Sequence, residues 1–325
     1  MDGLERLSLI GLLPMVKILD ARDALSLCEA LISGEVPAVE IAWGNDAAQE
    51  AVARVHDAMP DVLLAAGGIE TAEQADRAMA AGASLISAAG LTPALMKHCL
   101  RKGYPVLPGC AGPSDIETAL SLGLTTVKLF LDEAAGGAGR VKALAETYGN
   151  VRFVIAGEIR CPVLPAIFAC PQVSACASPW IAPQAALDAK DWDTVQTQAQ
   201  AFVRDMLGLY VAHVGINNAD EETTWREGRK LSALLGTPII RDNPNSLFVS
   251  TEIEMMKTWY RGAHGHLAVA TLDVPRARWH MERRGFTFDD ATVRYAPDGR
   301  LKFIYVQEEI AGFAIHLLLD EKING

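Results

Sequence analysis

Lys128 is the residue of this sequence with the clearest capacity for chemistry. It lies between Thr125-Thr126-Val127 and Leu129-Phe130, and β-branched and aromatic residues in such a run predict a buried strand. An ammonium ion inside a protein is unfavourable unless it pairs with an anion or loses its proton. The neutral amine is a nucleophile that forms Schiff bases with carbonyl compounds. The alternative is that the end of the strand is solvated and that Lys128 extends its ammonium group to water.

A carboxylate in a second apolar run could act together with this lysine. Glu40 is flanked by Ala38-Val39 and Ile41-Ala42, so it also lies in a predicted strand. If alternation points both Glu40 and Lys128 to the same interior, the carboxylate can transfer the protons that Schiff-base chemistry requires. A purely structural ion pair is the alternative interpretation.

A repeated unit of helix, glycine and strand must position these two side chains. Gly82, Gly103 and Gly123 each end a predicted helix and precede a predicted strand, at spacings of 21 and 20 residues. With the other apolar runs the pattern predicts eight strands and a (β/α)8 TIM barrel, an α/β fold, over residues 1–207. A doubly wound open sheet fits less well, because no glycine-rich dinucleotide fingerprint follows the first strand.

Composition and charge limit the classes of partner. The chain has 325 residues and a formal net charge of −11, which argues against nucleic acid or an anionic membrane as partner. The N-terminus lacks the pattern of a signal peptide, and no apolar run reaches the about 20 residues of a membrane span. These features predict a cytoplasmic protein that acts on small molecules. The cysteines form no C-x-x-C pair and are interpreted as buried reduced thiols: Cys28, Cys99, Cys110, Cys161, Cys170 and Cys176.

Seven segments in register along the barrel resemble the KDPG/KHG aldolase family. They are Leu13-Pro14-Met15-Val16, Val39-Glu40-Ile41, Gly90-Leu91-Thr92-Pro93, Val106-Leu107-Pro108-Gly109, Lys128-Leu129-Phe130, Glu133-Ala134-Ala135-Gly136-Gly137 and Ser178-Pro179-Trp180. That family comprises class I aldolases that release pyruvate from 2-keto-3-deoxy-6-phosphogluconate or 4-hydroxy-2-oxoglutarate. The resemblance implies that Lys128 forms the Schiff base, that Glu40 is the general acid/base and that Phe130 packs along the pyruvyl group. It also implies a homotrimer, a 2-keto acid substrate and no cofactor for the aldolase reaction.

Two side chains that hold the substrate carboxylate in this family are absent from the sequence. Gly44 stands in place of an arginine that follows the second strand, and Gly68 stands in place of a threonine that follows the third. Lys17, at the end of the first predicted strand, is the best remaining cation for the carboxylate, and Arg160 is a weaker candidate.

The residues at the family's phosphate site also differ. The loops after the last two strands carry the predicted substrate-binding residues Gly157, Glu158, Arg160 and Ser178. Glu158 adds negative charge and Pro179 removes an N–H donor, and both changes oppose a phosphate dianion. We therefore predict a non-phosphorylated substrate of the 4-hydroxy-2-oxoglutarate type. The alternative is that Glu158 points to solvent and Arg160 compensates.

The remaining residues, 208–325, repeat a second pattern of one strand, one helix and three strands. Two such βαβββ modules resemble the vicinal-oxygen-chelate superfamily, which includes glyoxalases and bleomycin-resistance proteins, and they predict an α+β domain. The resemblance implies a divalent metal (Zn, Fe, Mn or Ni) held at His213, Glu254, His266 and His316. His316 replaces a usual carboxylate, and His264 is an alternative to His266. These residues could instead line an empty cleft in a domain used for binding or assembly.

Three functions therefore remain open at the level of sequence. The first is a class I aldolase that makes or breaks a carbon–carbon bond to pyruvate. The second is a metal-dependent isomerase, lyase or dioxygenase located in the C-terminal domain. The third is a non-catalytic barrel that binds a keto acid after the loss of its substrate anchors.

Overall fold

The computed structural model describes residues 2–131 and 137–320 and divides the chain into two compact units. The first unit ends at Met206, and the second begins at Leu207. Of the family-like segment that starts at Glu133, residues 133–136 lie outside the described residues. None of the helices within the described ranges is long and apolar enough to cross a membrane.

The first unit is built on nine parallel strands. They are β1 (Leu12–Val16), β2 (Ala38–Ala42), β3 (Leu63–Ile69), β4 (Leu85–Ala88), β5 (Val106–Leu107), β6 (Gly109–Cys110), β7 (Thr126–Phe130), β8 (Arg152–Ala156) and β9 (Val173–Ser178). The strand order is β5-β4-β3-β2-β1-β9-β8-β7-β6. The two ends of this order, β5 and β6, are pieces of one extended segment on either side of Pro108. The sheet therefore closes on itself, in agreement with the predicted TIM barrel.

Pro108 interrupts the fifth barrel strand because it has no N–H to donate to a neighbouring strand. β5 pairs with β4 through Ile86 and Val106, whereas β6 pairs with β7 through Gly109 and Lys128. The Pro108 carbonyl still accepts a hydrogen bond of 2.8 Å from the backbone N–H of Lys128. The strand that carries the lysine is thus fixed at the seam of the barrel.

Helices connect these strands in the predicted alternation. They are α1 (Gly3–Ile10), α2 (Ala24–Ser33), α3 (Asp46–Ala58), α4 (Ala72–Ala80), α5 (Pro93–Lys102), α6 (Pro113–Ser121), α7 (Gly137–Thr147), α8 (Leu164–Phe168), α9 (Gln184–Ala189) and α10 (Trp192–Leu207). Gly82, Gly103 and Gly123, which the sequence places after helices, have φ values of 100°, 69° and 81°. A glycine at positive φ lets the chain leave a helix and enter the next strand without steric strain.

The second unit contains one mixed eight-stranded sheet with the order β11-β12-β13-β10-β14-β17-β16-β15. Its strands are β10 (Tyr210–Asn217), β11 (Arg241–Asp242), β12 (Ser246–Phe248), β13 (Ile253–Met256), β14 (Gly265–Thr271), β15 (Phe288–Tyr295), β16 (Leu301–Ile310) and β17 (Phe313–Leu319). Helix α11 (Glu221–Leu235) follows β10, and α12 (Val274–Arg283) follows β14. Each half therefore has the element order strand, helix and three strands, and the halves join where β10 and β14 pair antiparallel.

Candidate active site and metal centre

Lys128 lies in the interior of the barrel and contacts a carboxylate there. It is the central residue of β7, not its last residue, and only 3% of it is exposed. Its Nζ lies 2.7 Å from both Oε1 and Oε2 of Glu40, which is itself 6% exposed. The structure thus brings together the two residues that the sequence predicts to act as a pair.

Gly67 leaves the space in which the Glu40 carboxylate sits. A Cβ atom added at Gly67 would lie 2.6 Å from Oε1 and 2.7 Å from Cγ of Glu40, well inside van der Waals contact. Gly67 is on β3, beside the strand that carries Glu40, and it pairs in register with Ala42. Any larger residue there would push the carboxylate away from Lys128.

Ser87 is a further polar residue at the lysine, and it was not among the residues predicted from the sequence. Its Oγ accepts a hydrogen bond of 3.1 Å from Lys128 Nζ, and the residue is 0% exposed. Ser87 lies on β4, where it pairs in register with Gly67. The sign of Ser87 in the sequence is one serine within the apolar run Leu85-Ile86-Ser87-Ala88. The pattern of one strand does not show whether such a serine contacts a functional residue or only packs in the core.

Phe130 marks the C-terminal end of β7. It is 40% exposed, and its ring centroid lies 5.6 Å from Lys128 Nζ. Active sites of TIM barrels open at this end of the strands. An amine and a carboxylate 2.7 Å apart can exchange a proton, and the neutral amine so produced is the form that attacks a carbonyl carbon.

The structure explains one of the two missing carboxylate anchors and leaves room for the other. Gly68 has φ of +72°, a conformation that a threonine would adopt only with strain. A Cβ atom at Gly44 would meet nothing within 4 Å, so a side chain would fit there. The first strand ends at Val16, and Lys17 is exposed beyond it. Lys17 lines a cavity of about 290 Å³ whose lining residues do not include Lys128 or Glu40.

The loops after β8 and β9 hold one another through their own side chains. Trp180 Nε1 donates a hydrogen bond of 2.6 Å to Glu158, and the Arg160 guanidinium lies 3.4 Å from the Trp180 ring centroid. Ser178 is fully buried, and its hydroxyl donates to the Ile159 carbonyl at 2.7 Å and accepts from Trp180 N–H at 3.1 Å. The Ser178 side chain therefore links the loop after β8 to the loop after β9.

Gly157 brings the same loop close to the end of β7. Its φ is +145°, and its N–H donates to the Ala177 carbonyl at 3.2 Å. A Cβ atom at this position would lie 2.7 Å from the Leu131 carbonyl oxygen. Only glycine allows this close approach of the two backbones.

In the second unit, three of the four predicted metal ligands converge within hydrogen-bonding distance. The Nε2 atoms of His213 and His266 are 3.2 Å apart. Glu254 Oε2 lies 3.2 Å from the first of these nitrogens and 3.1 Å from the second. Burial alone would raise the pKa of Glu254, but hydrogen bonds from His213 and His266 hold that pKa far below its ordinary value. The carboxylate is thus in the charged form that a metal requires.

His316 lies beside this triangle. One possible ligand atom from each of His213, His266 and His316 lies within 4.8 Å of the others. Burial is the main cause of a pKa of His316 well below its ordinary value of 6.5, and electrostatic interaction with His266 and His213 lowers this pKa further. A neutral imidazole is the form that coordinates a metal. His264, the alternative to His266, is exposed and packs on Phe313 with ring centroids 5.6 Å apart.

The triangle of donor atoms fits a divalent metal ion. Ligands at about 2.0–2.2 Å from one ion are about 2.8–3.1 Å from each other in octahedral geometry and about 3.3–3.6 Å in tetrahedral geometry. The observed separations of 3.1 and 3.2 Å lie between these ranges and nearer to the octahedral one. The His266 ring lies against Gly215, where a Cβ atom would be 2.0 Å from Cε1, so glycine makes room for the imidazole. Two imidazoles and a carboxylate suit Zn, Fe(II), Mn or Ni.

Comparison with known proteins gives matches to the first unit. The sequence profile of a family described as KDPG and KHG aldolase matches residues 4–198. A 2-dehydro-3-deoxy-phosphogluconate aldolase of Treponema pallidum is 38% identical over 196 residues, which make up 60% of this chain and 93% of that protein. The solved structure of KDPG aldolase from Legionella pneumophila, with pyruvate captured as a covalent carbinolamine, is 27% identical with a TM-score of 0.59 and covers 62% of this chain and 98% of its own. The corresponding aldolase from Zymomonas mobilis is 28% identical with a TM-score of 0.58 and covers 62% of this chain and 96% of its own.

Proposed function

The chain belongs to the KDPG and KHG aldolase family, and on that premise we propose that Lys128 forms a Schiff base with a 2-keto acid. As an aldolase the enzyme is a lyase, so its reaction breaks or makes a carbon–carbon bond. One observation carries the assignment of Lys128: its Nζ is buried and lies 2.7 Å from both oxygens of Glu40. The geometry supplies a nucleophile and a proton acceptor in contact, away from bulk water.

The proposed reaction proceeds from this pair. Glu40 takes a proton from the Lys128 ammonium, and the free amine adds to the C2 carbonyl of the substrate. The resulting carbinolamine loses water with a proton returned by Glu40, which leaves an iminium ion. Glu40 then removes the proton of the C4 hydroxyl, the C3–C4 bond breaks, and an aldehyde leaves. The enamine gains a proton at C3, and hydrolysis of the iminium releases pyruvate and restores Lys128.

We propose that the substrate is a non-phosphorylated 2-keto-4-hydroxy acid of the 4-hydroxy-2-oxoglutarate type. The exposed Glu158 carboxylate in the loop after β8 supports this proposal, because it would repel a phosphate dianion at that loop. The loop after β9 offers few hydrogen-bond donors to a phosphate, because Pro179 has no N–H and the Ser178 hydroxyl already donates to the Ile159 carbonyl. Gly157, Arg160, Phe130 and Lys17 are the remaining proposed substrate contacts, with Lys17 or Arg160 serving the carboxylate.

Trapping of the Schiff base tests the assignment of Lys128. The protein is incubated with pyruvate and borohydride, and the modified residue is located by peptide mass spectrometry. We expect one adduct at Lys128 in the unmodified chain and none in Lys128→Met. An unmodified Lys128 in the wild-type chain would overturn the proposal. Adduct formation without cleavage of any 2-keto-4-hydroxy acid would instead support the non-catalytic keto-acid binder.

Comparison of two substrates tests the specificity. We expect a higher kcat/KM for 4-hydroxy-2-oxoglutarate than for 2-keto-3-deoxy-6-phosphogluconate. Glu158→Gln should raise activity on the phosphorylated compound more than on the other, because it removes the repelling charge. A preference for the phosphorylated substrate in the wild-type chain would contradict this part of the proposal.

We propose a second site, a divalent metal centre in the second unit with His213, Glu254 and His266 as ligands and His316 beside them. The triangle of donor atoms at 3.1–3.2 Å favours it. A metal bound there would act as a Lewis acid on a substrate oxygen in an isomerase or lyase, whereas a dioxygenase would need a redox-active metal such as Fe(II). Metal analysis after reconstitution should find one equivalent in the wild-type chain and in His264→Ala, but much less in His213→Ala. Equal metal content in all three proteins would count against the site.

A further inference from the structure

The Lys128 nitrogen has a second partner residue, which the proposed reaction does not use. Ser87 Oγ lies 3.1 Å from Nζ, and Ser87 is 0% exposed. We propose that Ser87 is a positioning residue that holds the nitrogen of Lys128 while Glu40 transfers protons. This inference rests on the proposed function, since it concerns the same Schiff base.

Three separate strands converge on the nitrogen. Glu40 approaches from β2, Ser87 from β4, and Lys128 itself extends from β7. Gly67 on the intervening β3 pairs in register with Ser87 and has no side chain to separate the serine from the carboxylate. The hydroxyl and the carboxylate therefore reach Nζ from different positions. The hydrogen bond to one of them can break while the hydrogen bond to the other remains.

The chemistry of the nitrogen changes during the reaction in a way that makes a second acceptor useful. The ammonium has three N–H bonds, whereas the iminium ion keeps only one. If Glu40 accepted a hydrogen bond from that last N–H, the same carboxylate would be less available to remove the proton of the C4 hydroxyl. The Ser87 hydroxyl is neutral and accepts the hydrogen bond from this N–H instead, which leaves Glu40 free to act on the substrate.

Another buried serine of the barrel shows what a structural role looks like. Ser174 lies on β9, is 6% exposed, and its Oγ donates to the backbone carbonyl of Phe153 at 3.1 Å. That bond links two neighbouring strands. Ser87 instead contacts the side chain of a residue on a distant strand, because β4 and β7 are not neighbours in the sheet. Ser174 is therefore a matched control of the same residue type and similar burial.

The experiment compares four variants for kcat, KM, the single-turnover rate of borohydride trapping with pyruvate, and the thermal midpoint. We expect Ser87→Ala to lower kcat and the trapping rate about tenfold with little change in KM, as loss of one hydrogen bond to a charged group predicts. Ser87→Cys fills the same space but accepts hydrogen bonds weakly, so its rates should resemble those of Ser87→Ala. Ser87→Thr keeps the hydroxyl and should recover most of the rate. Ser174→Ala should lower the thermal midpoint without changing the rates of the folded protein.

Two results would overturn the role of Ser87. One is wild-type kcat and trapping rate in folded Ser87→Ala. The other is recovery of the rates by Ser87→Cys, which would show that packing and not hydrogen bonding matters. Failure of the proposed function has a different signature, since the wild-type chain itself would then give no adduct at Lys128.

Discussion

At the scale of single residues, the site depends as much on missing side chains as on present ones. Glu40 reaches Lys128 only because position 67 is glycine, and His266 lies where position 215 has no side chain. Gly44 and Gly68 stand where the family resemblance implies side chains that would hold the substrate carboxylate. Gly67 and Gly215 therefore determine where the Glu40 and His266 side chains can lie.

Gly67→Ala should separate activity from stability. The added methyl group would displace the flexible end of the Glu40 side chain, so the fold can adjust while the carboxylate leaves Lys128. We expect trapping and turnover to fall about a hundredfold, in the range for loss of general acid–base catalysis. The thermal midpoint should change little, as in the control Gly149→Ala, where a Cβ atom meets nothing within 4 Å. Wild-type kinetics in Gly67→Ala would show that Glu40 does not need its observed position.

Gly44→Arg should restore a cation for the substrate carboxylate. The position is exposed and has open space for a side chain. We expect KM for pyruvate in the aldol direction to fall about tenfold, because a new charge-assisted hydrogen bond would form mainly with the bound carboxylate. Steady-state kinetics check this, with Gly44→Gln as the uncharged control. An unchanged KM in the arginine variant would indicate that the carboxylate lies elsewhere.

Part of the site could be predicted from the sequence for a physical reason. Alternation along a strand is a local property, so the sequence allowed Lys128 and Glu40 to face one interior, and the family resemblance implied that they act together. The contact of Ser87 with Lys128 depends on which strands lie across the barrel, and no local pattern carries that information. The hydrogen bond from the Ser178 hydroxyl to the Ile159 carbonyl likewise depends on the turn that begins at Pro179. From the sequence, Pro179 indicates only that one backbone N–H donor is missing.

At the scale of elements, the helix–glycine–strand unit predicted the barrel well, whereas strand ends were harder to locate. The sequence places Lys17 at the end of the first strand, whereas that strand ends at Val16. Pro108 divides the fifth strand into two short pieces because it has no N–H to donate to a neighbouring strand. The prediction of the element order in the second unit depends on helices α11 and α12, because their apolar patterns are long enough to identify a helix from the sequence.

Buried thiols on the barrel elements should make the first unit sensitive to alkali. Burial raises the pKa of Cys28 on α2 and of Cys110 on β6 to about 12, from an ordinary value of 9.0. The folded state favours the protonated thiol, so this stability is complete below pH 9.0 and is lost as pH rises toward about 12. Thermal unfolding followed by circular dichroism should show a midpoint that falls over this window. In Cys28→Ala the midpoint should fall less over the same pH range. An equal fall would show that Cys28 does not contribute to the sensitivity to alkali.

The pairing of β10 with β14 makes a further prediction about the metal centre. Gly215 and His266 face each other in this register, and a methyl group at position 215 would overlap the imidazole ring. We expect Gly215→Ala to lower metal affinity about tenfold or more, comparable to the loss of an orienting partner of a metal ligand. Titration with Zn²⁺ followed by calorimetry measures this, and His264→Ala serves as control. Unchanged affinity in Gly215→Ala would place the metal away from His266.

At the scale of the whole molecule, the proposed homotrimer is open to direct measurement. The resemblance of the barrel to its family implies three copies, so the particle in solution should have about three times the chain mass of 34.9 kDa. Mass photometry or sedimentation equilibrium at several concentrations distinguishes this from other states. A single species at the mass of one chain would contradict the expectation.

The contact between Lys128 and Glu40 joins residues 88 positions apart in the chain. It requires β2 and β7 to be in place, with the seam at Pro108 between them, so it forms late in any pathway that builds the barrel from local units. The chemistry of the lysine can therefore report on folding. During refolding, the time at which Lys128 first becomes trappable with pyruvate and borohydride would measure closure of the barrel itself, separately from the formation of its helices.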